Sequence, residues 1–153
     1  MIEVKDKDIV LARYIPANSA WDGGLSFFSE DEDYIQVGTW GYDSPKELLA
    51  HTHNEVHRDV AWTQEVIFVK KGSIKAEIYD LSNNKVKDIV CNTGDIIILL
   101  RGAHGYHILE DDTQVLEVKN GMLGFEFNGT YIVDPTLDET ATVSYTHLRA
   151  HET

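Results

Sequence analysis

The sequence predicts an all-β fold, a sandwich or barrel built from roughly seven to ten short strands. Two observations favour this fold class. Apolar or alternating runs are separated by turn residues at short intervals, and helical periodicity is nearly absent. The 153 residues contain no internal repeat, linker or low-complexity segment, so we expect one domain with a sizeable core.

The first third of the chain contains two predicted strands. Residues 9–15 are apolar and β-branched, and residues 34–40 alternate loosely between apolar and polar side chains. Residues 45–50 begin with a proline and are predicted to form at most one helical turn.

A β-hairpin is predicted in the middle of the chain. Residues 65–69, a glutamate followed by four apolar residues, lead to Lys71-Gly72, a tight-turn signal. In residues 74–78, isoleucine and alanine alternate with lysine and glutamate, as in a strand with one buried face.

Four further strands are predicted after this hairpin. The turn Ser82–Asn84 leads into residues 86–90, and the turn Gly94-Asp95 leads into the next strand. That strand, residues 96–100, is continuously apolar, which is typical of a strand covered on both faces. The last two strands cover residues 106–109 and 115–118.

The charge balance excludes two classes of partner. Thirteen basic and 26 acidic residues give a formal net charge of −13. Nucleic acids and anionic membrane surfaces repel such a protein, so neither is an expected partner. The acidic run Glu30–Asp33 is interpreted as a solvated loop.

The single cysteine, Cys91, allows no intrachain disulfide, which is typical of a reducing compartment. We interpret Cys91 as a small buried residue rather than a nucleophile. The N-terminus lacks a signal-peptide pattern and no segment reaches membrane-spanning length, so a cytoplasmic protein is expected.

The C-terminal residues 143–153 resemble a translated reading frame of a transposon-end adapter used in sequencing libraries. We therefore expect a single domain over residues 1–142, a non-native tail after it, and a natural chain that continues differently. His147 and His151 have helical metal-pair spacing, but they belong to this tail.

Four side chains are candidates for a metal site: His51, His53, Glu65 and His104. In an extended strand an H-x-H pair places both imidazoles on one side. A carboxylate and a third imidazole from other strands would complete an N/O ligand set suited to first-row transition metals. His107 has the opposite strand parity to His104, so only one of them can face the interior, and His104 is preferred.

These residues resemble the motifs of the cupin superfamily. His51 and His53 match its H-x-H, and Glu65 and Gly72 keep its six-residue gap. The second motif is represented by Gly94, Gly102 and His104. Three departures occur: eleven residues separate His53 from Glu65, more than in the family, His104 comes one position early, and Leu100 stands in place of a proline.

Residues 39–121 are also similar to small cupins found with bacterial surface-polysaccharide genes, through Thr63–Val66, Gly102–Gly105 and the ending Leu116–Gly121. The resemblance implies a single jelly-roll β-barrel and a homodimer. It also implies a divalent Fe, Mn, Ni, Zn or Cu ion held by the four candidates, and a small carbohydrate-type ligand. The expected ligand-binding residues are Arg58, Trp62 and Tyr106.

Two other functions stay open. The first is a metal-free sugar-nucleotide isomerase or epimerase, with His51 or His53 as general base and Tyr106 or His104 as proton donor. The second is a non-catalytic cupin that binds or senses a ligand. At the residue level, the two neighbouring histidines could be surface residues of a barrel rim, and Glu65 could be a hydrogen-bond anchor.

Overall fold

The computed structural model describes residues 1–120, which contain ten β-strands and no helix. The strand bounds are β1 Ile2–Asp6, β2 Ile9–Ile15, β3 Gly24–Phe27, β4 Gly38–Gly41, β5 Glu65–Lys71, β6 Ser73–Tyr79, β7 Lys85–Asn92, β8 Ile96–Leu99, β9 His104–Ile108 and β10 Gln114–Lys119. All strand pairs are antiparallel. The prediction of an all-β fold is confirmed.

The strands form three sheets. A five-stranded sheet has the order β1-β2-β8-β5-β10, a three-stranded sheet has the order β7-β6-β9, and β3 pairs with β4 alone. This arrangement is consistent with a sandwich or barrel-like fold, although the described strands do not form one closed barrel. Strands β9 and β10 are each the edge of their sheet, so the sandwich is open between them.

The main core lies between the five-stranded and three-stranded sheets. Its buried side chains come from both: Val4, Leu11, Ala12, Ile67, Val69, Ile97 and Leu99 from the first, and Ile74, Ala76, Ile78, Ile89 and Cys91 from the second. Burial of this apolar surface is the main stabilising term of the fold. Cys91 is a buried free thiol, as predicted, and burial raises its pKa to about 12.

A second cluster covers the outer face of the five-stranded sheet. Ile15, Ile98 and Leu100 are buried there, and Phe28, Ile35 and Val37 from the preceding loop pack with them. Strand β8 is thus buried on both faces, as its continuous apolar run predicts.

The loop between β3 and β4, which provides this cover, differs from two of the predictions. The strand predicted over residues 34–40 exists only from Gly38 onward. The side chains of Ile35 and Val37 pack on the outer face of the five-stranded sheet. The Ile35 amide donates to the Gln64 side chain (2.9 Å) instead of to a strand. The run Glu30–Asp33 is not wholly solvated either, since Asp33 accepts a hydrogen bond from the buried Arg13.

The predicted turns lie where expected. Gly72 links β5 to β6 with φ +78°, and Gly94 precedes β8 with φ +90°, both in the left-handed region that favours glycine. Two strands, β1 and β3, have no counterpart in the prediction, because both are short and weakly apolar.

The described residues lie in one compact unit, which spans Met1–Leu123. Residues 121–153, including the predicted adapter-like tail and the end of the predicted domain at residue 142, lie outside the described part of the chain. In residues 1–120 no helix could span a membrane.

Candidate functional site

Glu65 and His104 meet across the open side of the sandwich. Glu65 begins β5 in the five-stranded sheet, and His104 begins β9 in the three-stranded sheet. His104 Nε2 lies 3.0 Å from Glu65 Oε2, and the two side chains are 26% and 14% exposed. Partial shielding from water strengthens such a charge-assisted hydrogen bond.

The surroundings of Glu65 keep it ionised. Burial alone raises the pKa of Glu65, but the hydrogen bonds and charges of His104 and Lys119 together outweigh burial. The net pKa lies below the ordinary value, so at neutral pH the carboxylate is an acceptor for the imidazole N–H.

Strand β10 adds Lys119 and Glu117 to this pair, which gives a row of four interacting polar side chains. Lys119 lies opposite Glu65 in the register of β5 and β10, and Glu117 lies opposite Ile67. Lys119 Nζ is 3.4 Å from Glu65 Oε1 and 2.5 Å from Glu117 Oε1. The hydrogen bond to Glu117 and the charges of both carboxylates raise the pKa of Lys119 despite its partial burial.

An open cavity of about 220 Å³ lies next to this row of polar side chains. It is lined mainly by apolar side chains, which are Ile67, Ile74, Tyr106, Ile108, Val115 and Glu117. Side chains on one face of a strand recur every second residue. The polar residues Glu65, His104 and Lys119 are therefore the next ones on the same faces of β5, β9 and β10, adjacent to the lining residues Ile67, Tyr106 and Glu117.

Tyr106 connects the cavity to the histidine. Its ring centroid is 5.4 Å from that of His104, and its side chain lines the cavity. Burial and the charges of Glu65 and Glu117 raise the pKa of the Tyr106 hydroxyl, so it stays protonated. Among the described residues the hydroxyl has no hydrogen-bond partner, which leaves it available to a ligand.

The other two predicted metal ligands lie elsewhere. His51 and His53 are exposed on a segment without strands between Gly41 and Glu65, so the extended-strand geometry assumed for H-x-H is wrong. Their ring centroids are 5.1 Å apart, and His51 Nδ1 contacts the Leu49 carbonyl oxygen at 3.1 Å. The segment buries no apolar side chain, which explains why no strand forms there.

Only two of the four predicted ligands, Glu65 and His104, are therefore together. Within residues 1–120, no three His, Cys, Asp or Glu side chains lie close enough to hold a metal ion. The donor set as arranged is too small for the N/O metal site that the sequence predicts.

The remaining predicted residues fall in different places. His107 lies on the opposite face of β9 from His104, with Nε2 3.3 Å from Glu77 Oε1. Arg58 is exposed, and Trp62 stacks with Arg101 at the end of the same segment. Of the three predicted ligand-binding residues, only Tyr106 lines the cavity.

Two residues of the site, Glu117 and Lys119, were not predicted as members. The signal for them was present, because β10 alternates Leu116, Glu117, Val118 and Lys119. Charged side chains at alternate positions of a strand lie on one face of the sheet. Where that face borders an apolar cavity, such side chains are candidates for contacts with a ligand. Which of the two faces points inward depends on the pairing with β5, which the local sequence does not specify.

Comparison with known proteins adds no relative. No protein-family model, no curated protein and no solved structure matches this chain.

Proposed function

We propose that the protein binds a small, ring-shaped ligand of carbohydrate type in the cavity between β9 and β10, and that His104 performs acid–base chemistry on it. The observation that carries the proposal is the Glu65–His104 pair, which lies beside a mainly apolar cavity that Tyr106 lines. A histidine oriented by a carboxylate beside a concave apolar surface is a recurring arrangement for general acid–base catalysis.

The roles of the two residues follow from the hydrogen bond between them. When His104 Nε2 carries the proton donated to Glu65, Nδ1 is left with a lone pair and can accept a proton from a ligand. The ionised Glu65 then stabilises the imidazolium that forms. Glu65 is a positioning residue, and His104 is the proposed general base.

The cavity favours a small ligand with one apolar face. Its volume of about 220 Å³ lies below the roughly 300–1,000 Å³ of pockets for drug-sized molecules. A sugar ring presents C–H groups that pack against an aromatic ring, and its hydroxyls can bond to charged groups. Tyr106 would supply the aromatic surface and a phenol donor, and Lys119 and Glu117 the polar contacts.

Solvent deuterium incorporation tests the chemistry. Proton abstraction beside a carbonyl exchanges that proton, so deuterium from D₂O should enter nucleotide-linked keto-sugars incubated with the protein. We expect His104→Gln to reduce incorporation by about 100-fold, within the range attributed to one general base. The matched variant His107→Gln, on the opposite face of β9, should retain it.

Retention of exchange in His104→Gln would contradict the acid–base role. Binding of the sugars without exchange, measured by ligand-observed NMR, would instead favour a non-catalytic ligand-binding protein. Loss of that binding in Tyr106→Ala, but not in His107→Gln, would identify the cavity as its site.

A divalent transition metal is the second candidate. Two predicted ligands are already adjacent, and the segment that carries His51 and His53 leads directly into Glu65. We propose that this segment closes over the Glu65–His104 pair when a metal binds, which would complete a three-histidine, one-carboxylate set. A metal there would polarise a ligand carbonyl or activate water.

Metal content decides between the two candidates. Protein purified without a histidine tag should contain close to one equivalent of a transition metal by elemental analysis, and a His51→Ala/His53→Ala variant should contain far less. The control is His107→Ala, which removes a histidine outside the proposed set. Less than roughly a tenth of an equivalent, with no gain on reconstitution, would exclude this candidate.

The resemblance to cupins supports three further proposals: a jelly-roll barrel, a role in surface-polysaccharide biosynthesis and a homodimer in the bacterial cytoplasm. The single reduced cysteine supports the location. The exposed apolar face of β3 and β4 supports the dimer.

A further inference from the structure

Arg101, Trp62 and Tyr34 form a stacked cluster outside the cavity. The Arg101 guanidinium lies over the Trp62 ring, with its carbon 3.9 Å from the centroid. The Tyr34 ring packs against the same indole at 4.9 Å between centroids and an interplanar angle of 54°. The cluster thus places a planar cation on an aromatic surface that a third side chain supports.

Hydrogen bonds restrain the backbone at Arg101 and beside the other two members of the cluster. The Arg101 amide donates to the Leu11 carbonyl oxygen at 3.2 Å. The Ile35 amide, directly after Tyr34, donates to Gln64 Oε1 at 2.9 Å, and Gln64 lies two residues after Trp62. These bonds restrain the chain at Arg101 and next to Tyr34 before any ligand arrives, which lowers the entropy lost on binding.

Within residues 1–120 the Arg101 guanidinium has no acidic partner. Six other basic side chains in residues 1–120 form ion pairs with carboxylates, and these are Lys5, Arg13, Lys71, Lys75, Lys85 and Lys119. In the same part of the chain, Arg101 has neither an ion pair nor a side-chain hydrogen bond. Asp33, the residue before Tyr34, is already bonded to Arg13.

We propose that Arg101 and Trp62 form a binding site for an oxyanion, the phosphate or carboxylate group of a small ligand. Stacking occupies a face of the guanidinium and leaves its in-plane N–H donors open, in the fork geometry that matches two oxygens of one anion. The net charge of −13 and the acidic residues 30–33 oppose anion binding, so the affinity for a free anion is weak, on the order of 1 mM.

Trp62 fluorescence tests the site directly. The chain has three tryptophans, so Trp21→Phe/Trp40→Phe leaves Trp62 as the single tryptophan emitter. The two replaced side chains are 55% and 63% exposed. Phosphate, acetate and chloride are titrated at constant ionic strength. We expect a saturable change with phosphate or acetate and none with chloride, and the tighter of the two identifies the group that the site prefers.

Substitutions in this background assign the response to Arg101. Arg101→Gln should abolish it, and Arg101→Lys, which keeps the charge but loses the planar fork, should weaken it about tenfold. The control Lys46→Gln removes another cation above an aromatic ring, Tyr42 at 5.7 Å, and should leave the response unchanged.

Either of two results would overturn the proposal: no saturable response to phosphate or acetate, or a response that survives in Arg101→Gln. If circular dichroism shows that Arg101→Gln is unfolded, equal affinity in Arg101→Lys overturns it instead. The site does not depend on the proposed chemistry at His104, because His104→Gln should bind the anion normally. Failure of one proposal is thereby distinguishable from failure of the other.

Discussion

Glu77, outside the cavity, pairs with four side chains of the described residues, which are Lys75, Tyr79, Lys85 and His107. It lies on the outer face of β6, where its side chain is only 9% exposed. Its carboxylate is 2.7 Å from Lys85 Nζ, 3.2 Å from Lys75 Nζ and 3.0 Å from the Tyr79 hydroxyl. The hydrogen bond from Lys85 is the largest of the effects that lower the pKa of Glu77 to about 2, against the opposing effect of burial.

This pairing predicts an acid-sensitive contribution to stability. Because the folded-state pKa lies below the ordinary 4.5, the contribution of Glu77 is complete above that pH and is lost as the pH falls toward about 2. We expect Glu77→Gln to lower the free energy of unfolding by about 1 kcal/mol at neutral pH, a value reduced for solvent screening of the exposed Lys85. At about pH 3 the difference should shrink by more than half.

Urea unfolding at the two pH values measures this effect. Asp88→Asn is the matched control, since Asp88 also pairs with Lys85 but is 45% exposed, and its effect should be small at both values. An equal loss for Glu77→Gln at both pH values would show that packing, and not charge, explains the role of Glu77.

At the scale of elements, the turn before β9 determines where His104 points. Gly102 has φ +75°, and a Cβ at this position would lie 2.2 Å from the Tyr79 carbonyl oxygen. The next residue, Ala103, accepts a backbone hydrogen bond from the Tyr79 amide at 2.9 Å. The early position of His104 in the sequence is thus accommodated by a turn that requires glycine, after which β9 places His104 opposite Ile78.

Gly102→Ala is therefore expected to disturb both fold and site. A left-handed backbone and a clash with main-chain atoms should destabilise the protein by about 2 kcal/mol or more. The control is Gly105→Ala, because a Cβ there would meet only Glu77 Oε2 at an ordinary 3.7 Å. Thermal melts compare the two, and a melting temperature for Gly102→Ala equal to that of Gly105→Ala would contradict the prediction.

The same elements show what the sequence can predict. The hairpin of β5 and β6 and the doubly buried β8 were predictable, because their apolar patterns and turn glycines are local. The cover formed by Ile35 and Val37 was not, since its apolar residues pack on a sheet assembled from distant strands.

The candidate site divides in the same way. Strand parity and the cupin resemblance favour His104 over His107 as the inward-facing histidine, and the two residues do lie on opposite faces of β9. The contact of Glu65 with Lys119 depends on the pairing of β5 with β10, across 54 residues of sequence. His51 and His53 lie outside any strand because the segment that carries them buries no apolar side chain. The H-x-H spacing does not reveal this.

At the scale of the whole molecule, the two-stranded sheet of β3 and β4 leaves an apolar face uncovered. Leu25 and Trp40 are paired across the strands and are 60% and 63% exposed, and Phe27 and Tyr42 are 53% and 43% exposed. Thr39, on the other face, is buried. A contiguous aromatic surface of this kind is typical of a protein–protein interface, and isolated two-stranded sheets are only marginally stable.

We therefore expect a homodimer that covers this face. Light scattering after gel filtration should give twice the mass of one chain, and Leu25→Ser/Trp40→Ser should shift the protein toward the monomer by weakening dimerisation at least tenfold. Because both side chains are more than half exposed, the substitutions should leave the circular dichroism spectrum unchanged. Val90→Ser is the control, since Val90 is 51% exposed on a different sheet. A monomeric wild-type protein, or a dimer equally weakened by Val90→Ser, would exclude β3 and β4 as the interface.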